Sequence, residues 1–101
     1  MASKPDSDPR FHPLKPQDAK RLARRIAEDG VVSFTEHARA EMEKDDLQST
    51  DCLNLLRAGI FHEAELENKE LRYRVSTQRM CVVFVFLSTD RLRVITAWRN
   101  R

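Results

Sequence analysis

Between residues 71 and 99 the chain reads LRYRVSTQRMCVVFVFLSTDRLRVITAWR, three strand-like runs with room between them only for tight turns. That stretch decides what the rest can become. The middle run, residues 80–87, is almost wholly apolar and rich in Val and Phe, the composition of a central strand with a neighbour on each edge. Gln78-Arg79 precedes it and Ser88-Thr89-Asp90-Arg91 follows it. Connections this short make hairpins, whereas a parallel crossover takes about a dozen residues or more, so an antiparallel meander is expected.

Turn lengths fix which side chains share a face. With Gln78-Arg79 as a two-residue loop, Val75 faces Val82 and Tyr73 faces Phe84. With Thr89-Asp90 as the second, Phe86 faces Arg93, Phe84 faces Ile95 and Val82 faces Ala97. One face then carries Leu71, Tyr73, Val75, Val82, Phe84, Phe86, Ile95 and Ala97, and needs helices laid against it. The other carries Arg72, Arg74, Ser76, Cys81, Val83, Val85, Leu92, Val94, Thr96 and Trp98, an apolar floor with arginines and a tryptophan at its margin. A slip of one residue in either turn would exchange the faces of a whole strand.

Upstream, residues 1–15 are polar and proline-bearing and read as a flexible tail, leaving 16–101 as a single domain. Pro16 opens a first helix over 16–29, whose apolar stripe is Ala19, Leu22, Ala23, Ile26 and Ala27 and whose other side shows Lys20, Arg21, Arg24 and Arg25. Gly30 is expected to end it in a left-handed conformation. Residues 31–34 read as a short extended connector. A capping-box spacing starts a second helix near Thr35, with Ala38 and Met42 inward and His37 and Glu41 paired beside them. Ser49 is the expected N-cap of a third helix over 50–58, stopped by Gly59. Residues 60–66 alternate (Ile60, His62, Ala64, Leu66 against Phe61, Glu63, Glu65) and read as one further strand, its glutamates being ordinary edge decoration. The expected fold is α+β, with N-terminal helices on one face of a small antiparallel four-stranded sheet.

Composition narrows the chemistry. In 101 residues there are two glycines, both assigned to helix ends, so no glycine-rich phosphate loop exists. His12, His37, His62, Cys52 and Cys81 share no metal-ligand spacing, and no cofactor is expected. The cysteines sit in apolar runs, as buried thiols of a cytoplasmic protein do. No run approaches a membrane span, and the first ten residues lack the apolar core of a secretory signal. Charge is polarised. Residues 36–70 hold four Lys/Arg against ten Asp/Glu, a net −6, while residues 71–101 hold seven cations, all arginine, against one acid, a net +6. Guanidinium groups gathered on a sheet suit phosphate, which they grip bidentately, or else simply solvate the surface.

A site built from Arg, His and acids can cleave RNA without a metal, since that reaction needs a base, a cation for the phosphorane and an acid for the leaving oxygen. Arg72, Arg74 and Arg99 are the candidate phosphate cations. His37 is the candidate proton carrier, or merely packs at its helix start. Arg24, Arg25 and Arg93 would extend an RNA contact surface, and Trp98 would stack a base or fill the edge of the core. By the register above, Arg99 falls on the face opposite Arg72 and Arg74, and only a bulge near the strand end or a site wrapping the sheet edge would join them.

The run FTEHARAEM, the helix ending in RAGI, then LRYRVSTQRMCVVFVF and VITAWRN resemble a bacterial domain family related to the motility quorum-sensing regulator (MqsR) toxin, within the RelE-like mRNA interferases. The likeness spans residues 16–99, and its most family-specific mark is His37, Ala38 and Met42. It implies a RelE/MqsR-like toxin that cleaves mRNA, alone or on the ribosome, and is held inactive by a cognate antitoxin. It also implies that Trp98 and Arg99 fill the family's aromatic-then-cation positions. A non-catalytic protein- or RNA-binding domain on the same scaffold is the alternative.

Overall fold

The computed structural model describes residues 8–100; residues 1–7 of the expected tail, and Arg101, lie outside them. The elements are α1 (Pro16–Asp29), β1 (Val31–Phe34), α2 (Glu36–Lys44), α3 (Ser49–Ala58), β2 (Ile60–Phe61), β3 (Glu65–Glu67), β4 (Glu70–Ser76), β5 (Met80–Phe86) and β6 (Arg91–Arg99). The fold is α+β: three helices and a six-stranded, mostly antiparallel open sheet ordered β1-β6-β5-β4-β2, with β3 also pairing β4. Six strands replace the expected four for two reasons. Residues 31–34 are not a free connector, because β1 pairs in parallel with β6, Val32 beside Leu92 and Phe34 beside Val94. The strand expected over 60–66 divides into β2 and β3, two short pieces along the same edge of β4.

The helix boundaries have local causes. Pro16 sits in the first turn of α1, where a missing N–H costs nothing, and Ala19, Ala23 and Ile26 form its buried stripe. Gly30 follows, with φ −108° rather than the left-handed value expected. What requires glycine here is space: a Cβ would run into the Asp90 carbonyl, to which the Val31 N–H donates at 3.0 Å. Thr35 begins α2 by accepting from the Ala38 N–H at 3.0 Å, while its hydroxyl donates to the Ile95 carbonyl at 3.0 Å. One side chain thus caps the helix and ties it to β6. The α3 cap is Gln48 rather than Ser49, with the Gln48 N–H donating to the Asp51 carboxylate at 2.8 Å in a capping box.

All three helices deliver their buried residues to one face of the sheet. Ala19, Ala23 and Ile26 of α1, Ala38 and Met42 of α2 and Cys52, Leu55 and Leu56 of α3 join Tyr73, Val75, Val82, Phe84, Phe86, Leu92, Val94 and Ala97 in a single core. At its centre Phe84 stacks on Tyr73 (centroids 5.6 Å apart) and meets Phe61 and Phe86 edge-on.

The first turn is the expected two-residue loop, Thr77 N–H donating to the Met80 carbonyl at 2.9 Å. The second is one residue longer, since the Leu87 N–H donates to the Arg91 carbonyl and leaves 88–90 as the loop. Ser88 and Asp90 brace it with a 2.6 Å side-chain hydrogen bond. The added residue shifts the start of β6 by one: Phe86 faces Leu92, Val85 faces Arg93 and Phe84 faces Val94. A bulge opposite the Val83/Phe84 step takes up Ile95 and restores the expected register, Val83 with Thr96 and Val82 with Ala97. Leu92 and Val94 therefore belong to the core and not to the open face, and Arg93 moves from opposite Phe86 to the open face.

Within the segment before α1, Asp8 folds the chain locally by accepting from the N–H groups of Phe11 and His12 at 3.1 Å. Pro9 is fully buried, and the Leu14 N–H donates to the Tyr73 hydroxyl at 2.8 Å.

Burial also sets an alkaline limit. It pushes the Cys52 thiol up to about 11 from 9.0, helped by nearby Asp51, and raises the Cys81 thiol and the Tyr73 hydroxyl as well. Each group holds its proton more tightly folded than unfolded. Its contribution is therefore complete below the unfolded value and is lost as pH rises through the folded one. Urea midpoints are expected to hold steady to about pH 8.5 and to fall between about pH 9 and 11. Cys52→Ala should flatten part of that slope.

Candidate functional site

With the helices on one side, no helix covers the other, here called the open face although Cys81 and Val85 at its centre are buried, and the strand register sets its residues in rows about 4.8 Å apart from strand to strand. One row runs Ile60, Ser76, Cys81, Trp98 from β2 to β6. The next runs from Arg74 through Val83 to Thr96. His62, just past β2, extends that row at its β4 edge: its N–H donates to the Arg74 carbonyl at 2.9 Å, and its Nε2 lies 2.9 Å from the Ser76 hydroxyl. A third row holds Glu65 against Arg72 at the β3 edge, and Val85, Arg93 and Ser33 further across.

The arginines on this face are in different states. Arg72 is engaged: its guanidinium is 3.3 Å from Glu70 and 3.5 Å from Glu67, and its Nε is buried without a hydrogen-bond partner. Arg74 is exposed and makes no ion pair among the described residues. Its guanidinium is near enough to Cys81 to oppose the rise that burial imposes on that thiol. Glu63, Glu65, Glu67, Arg72, Tyr73, Arg74 and Val83 line a depression of 190 Å³ between the β3 edge and β5. Two cations and three carboxylates meet there.

The expected site residues divide between the two sides. Arg72, Arg74, Arg93 and Trp98 share the open face, Arg93 only because of the longer second turn. Arg99 does not join them. The bulge at Ile95 cancels the extra residue of the second turn, so Arg99 keeps its expected place opposite Met80 on the helix side. There its Nε donates to the Asp45 carbonyl and its Nη2 to the Asp46 carbonyl, each at 3.0 Å, while its backbone N–H donates to the Asp45 carboxylate at 2.7 Å. The last carbonyls of a helix lack intrahelical partners and favour a cation, so this is a clamp on the end of α2. Arg99→Ala is expected to destabilise the fold by roughly 1 kcal/mol, read as a lower urea midpoint with faster amide exchange around residues 43–47.

His37 stands exposed in the first turn of α2, in the helix layer. Arg24 and Arg25 are on α1, Arg24 paired with Glu28 at 3.5 Å and Arg25 donating to the Thr89 carbonyl at 3.4 Å. None of these three shares the face of Arg74.

His62, Glu63 and Glu65 are the residues that the sequence pattern undervalued. Alternation does put His62 on the side of Ile60, but the identity of its neighbours depends on the β2–β4 register. The turn at 67–70, where Asn68 and Lys69 adopt φ of 53° and 67°, sets β3 against β4, but β2 pairs one residue out of step with it, the difference being taken up between Phe61 and Glu65, and no local pattern announces that offset.

Among the described residues no three His, Cys, Asp or Glu side chains converge as a metal-binding group, and no helix is long and apolar enough to cross a membrane. No family model matches the chain, and comparison with curated proteins and with solved structures returns no match.

Proposed function

We propose that this domain is a metal-independent endoribonuclease of the mRNA interferase type, the toxin of a toxin–antitoxin pair, and that it works on the open face of its sheet. The observation that carries the reading is the depression in which Arg74, with no ion-pair partner among the described residues, lies among Glu63, Glu65 and Arg72. Phosphodiester transfer to a ribose 2′-oxygen needs that combination. A carboxylate takes the 2′-hydroxyl proton, the oxygen attacks phosphorus, and the Arg74 guanidinium holds the charge that collects on the non-bridging oxygens. Trp98 and Arg93 continue the face toward β6, where a base can stack and a second phosphate can rest. The acidic β3 edge repels the polyanion, so bound RNA would run from Arg74 toward β6. An mRNA substrate, ribosome assistance and a cognate antitoxin belong to this proposal through the resemblance noted above.

The rival is a binding domain without catalysis, favoured by the neutralisation of Arg72 by Glu67 and Glu70. Purified full-length protein incubated with single-stranded RNA in EDTA, with and without ribosomes, separates the two. Cut products ending in 2′,3′-cyclic phosphate and 5′-hydroxyl are expected. Salt-sensitive binding with intact RNA in both settings would leave the rival standing. Growth arrest on induction, relieved by co-expressing the neighbouring gene, would fix the toxin class.

A further inference from the structure

On that reading, we propose that His62 is the general acid of the reaction and that Ser76 is its positioning residue. The open face holds one imidazole within reach of Arg74 among the described residues, and it is held from two sides. The His62 N–H bonds the Arg74 carbonyl at 2.9 Å, which sets the two residues opposite each other across adjacent chain segments. Residues so paired in a sheet have Cβ atoms about 5 Å apart, so a phosphate gripped by Arg74 is within reach of the ring. The Ser76 hydroxyl, 2.9 Å from Nε2, fixes the ring plane and leaves Nδ1 as the nitrogen available to substrate. His62 is half-buried, so its ring is restrained yet accessible.

The step balances. A carboxylate of the depression removes the 2′-hydroxyl proton, and the 2′-oxygen forms a bond to phosphorus. The bond from phosphorus to the 5′-oxygen breaks, and that oxygen takes a proton from the imidazolium of His62. Water exchange afterwards returns the proton from carboxylate to imidazole. The charged residues next to His62 are Arg74, opposite it on β4, and Glu63, which follows it in the chain.

The test uses the full chain and two oligoribonucleotide probes, one cleavable and one with a 2′-deoxy group at the cleaved position. His62→Gln is expected to lower kcat about 100-fold and to abolish the alkaline fall in rate, with binding of the deoxy probe unchanged within about 2-fold. Ser76→Ala should lower kcat about 5-fold and displace the alkaline limb, because the ring is present but unheld. The imidazole resonances of His62, followed by NMR, should shift on adding the deoxy probe. Wild-type kcat in His62→Gln overturns the assignment while leaving the functional reading intact. Absence of cleavage by the wild type overturns the functional reading. Ring resonances that ignore the deoxy probe overturn the assignment whether or not RNA is cut.

Discussion

Arg74→Ala is expected to reduce RNA cleavage by about two to three orders of magnitude without moving the thermal midpoint by more than about 2 °C. The reasoning is a contrast between neighbours. Arg72 is spent on Glu67 and Glu70, and Arg99 on the carbonyls that end α2. Arg74 alternates with buried Tyr73 and Val75 on β4, so its backbone is held by the sheet while its side chain projects from the open face. A guanidinium in that position can stabilise a phosphorane and has no structural duty to lose. Arg74→Lys should recover part of the rate, since a point charge keeps the attraction but not the bidentate grip. Single-turnover cleavage beside thermal melts checks both halves. An alanine variant that cuts as fast as the wild type would remove the depression from consideration.

Phe84→Ala should be the most damaging single change to the fold, costing about 3–5 kcal/mol. Phe84 is fully buried on the core face of β5, stacked on Tyr73 and met edge-on by Phe61 and Phe86, so its loss leaves a void bounded by aromatic rings. For a domain of this size, whose total margin is of the order of 5–15 kcal/mol, that is much of the stability. Val83→Ala, one residue away on the open face, should cost about 1 kcal/mol or less, because that side chain keeps part of its exposure. Equilibrium urea unfolding of the two variants measures the difference. Comparable losses would mean that the open face is covered and that the two-sided reading of the sheet is mistaken.

Much of this fold can be read locally. The apolar stripe of α1, the threonine cap of α2, the two-residue turn at Gln78-Arg79 and the face shared by Tyr73, Val75, Val82 and Phe84 all follow from periodicity and capping rules acting over a few residues. What could not be read depends on partners distant in the chain. β1 is four residues that become a strand only because β6 offers a parallel edge. The three-residue second turn and the bulge at Ile95 compensate for each other, so the alternation of β6 reads correctly at Ala97 and incorrectly at Leu92 and Val94. Arg99 looks like a phosphate cation in sequence because backbone carbonyls, its true partners, are invisible in a pattern of side chains. The candidate site was legible in its residue types and not in its arrangement: Arg74 could be placed on the open face in advance, whereas the position of His62 opposite it had to await the pairing of β2 with β4.

The place of β6 between β1 and β5 bears on how the molecule is made. Of all the elements β6 is translated last, yet it is the interior member that joins an early strand to a late one. While the polypeptide is still being extended, β1 has nothing to pair with, and α1 and α2 carry apolar stripes with no finished surface to cover. Vectorial synthesis can therefore prepare helices but cannot complete the domain. The closing event is the arrival of residues 91–99, and until then the facing edges of β1 and β5 stand unpaired, the kind of edge through which unfinished chains associate.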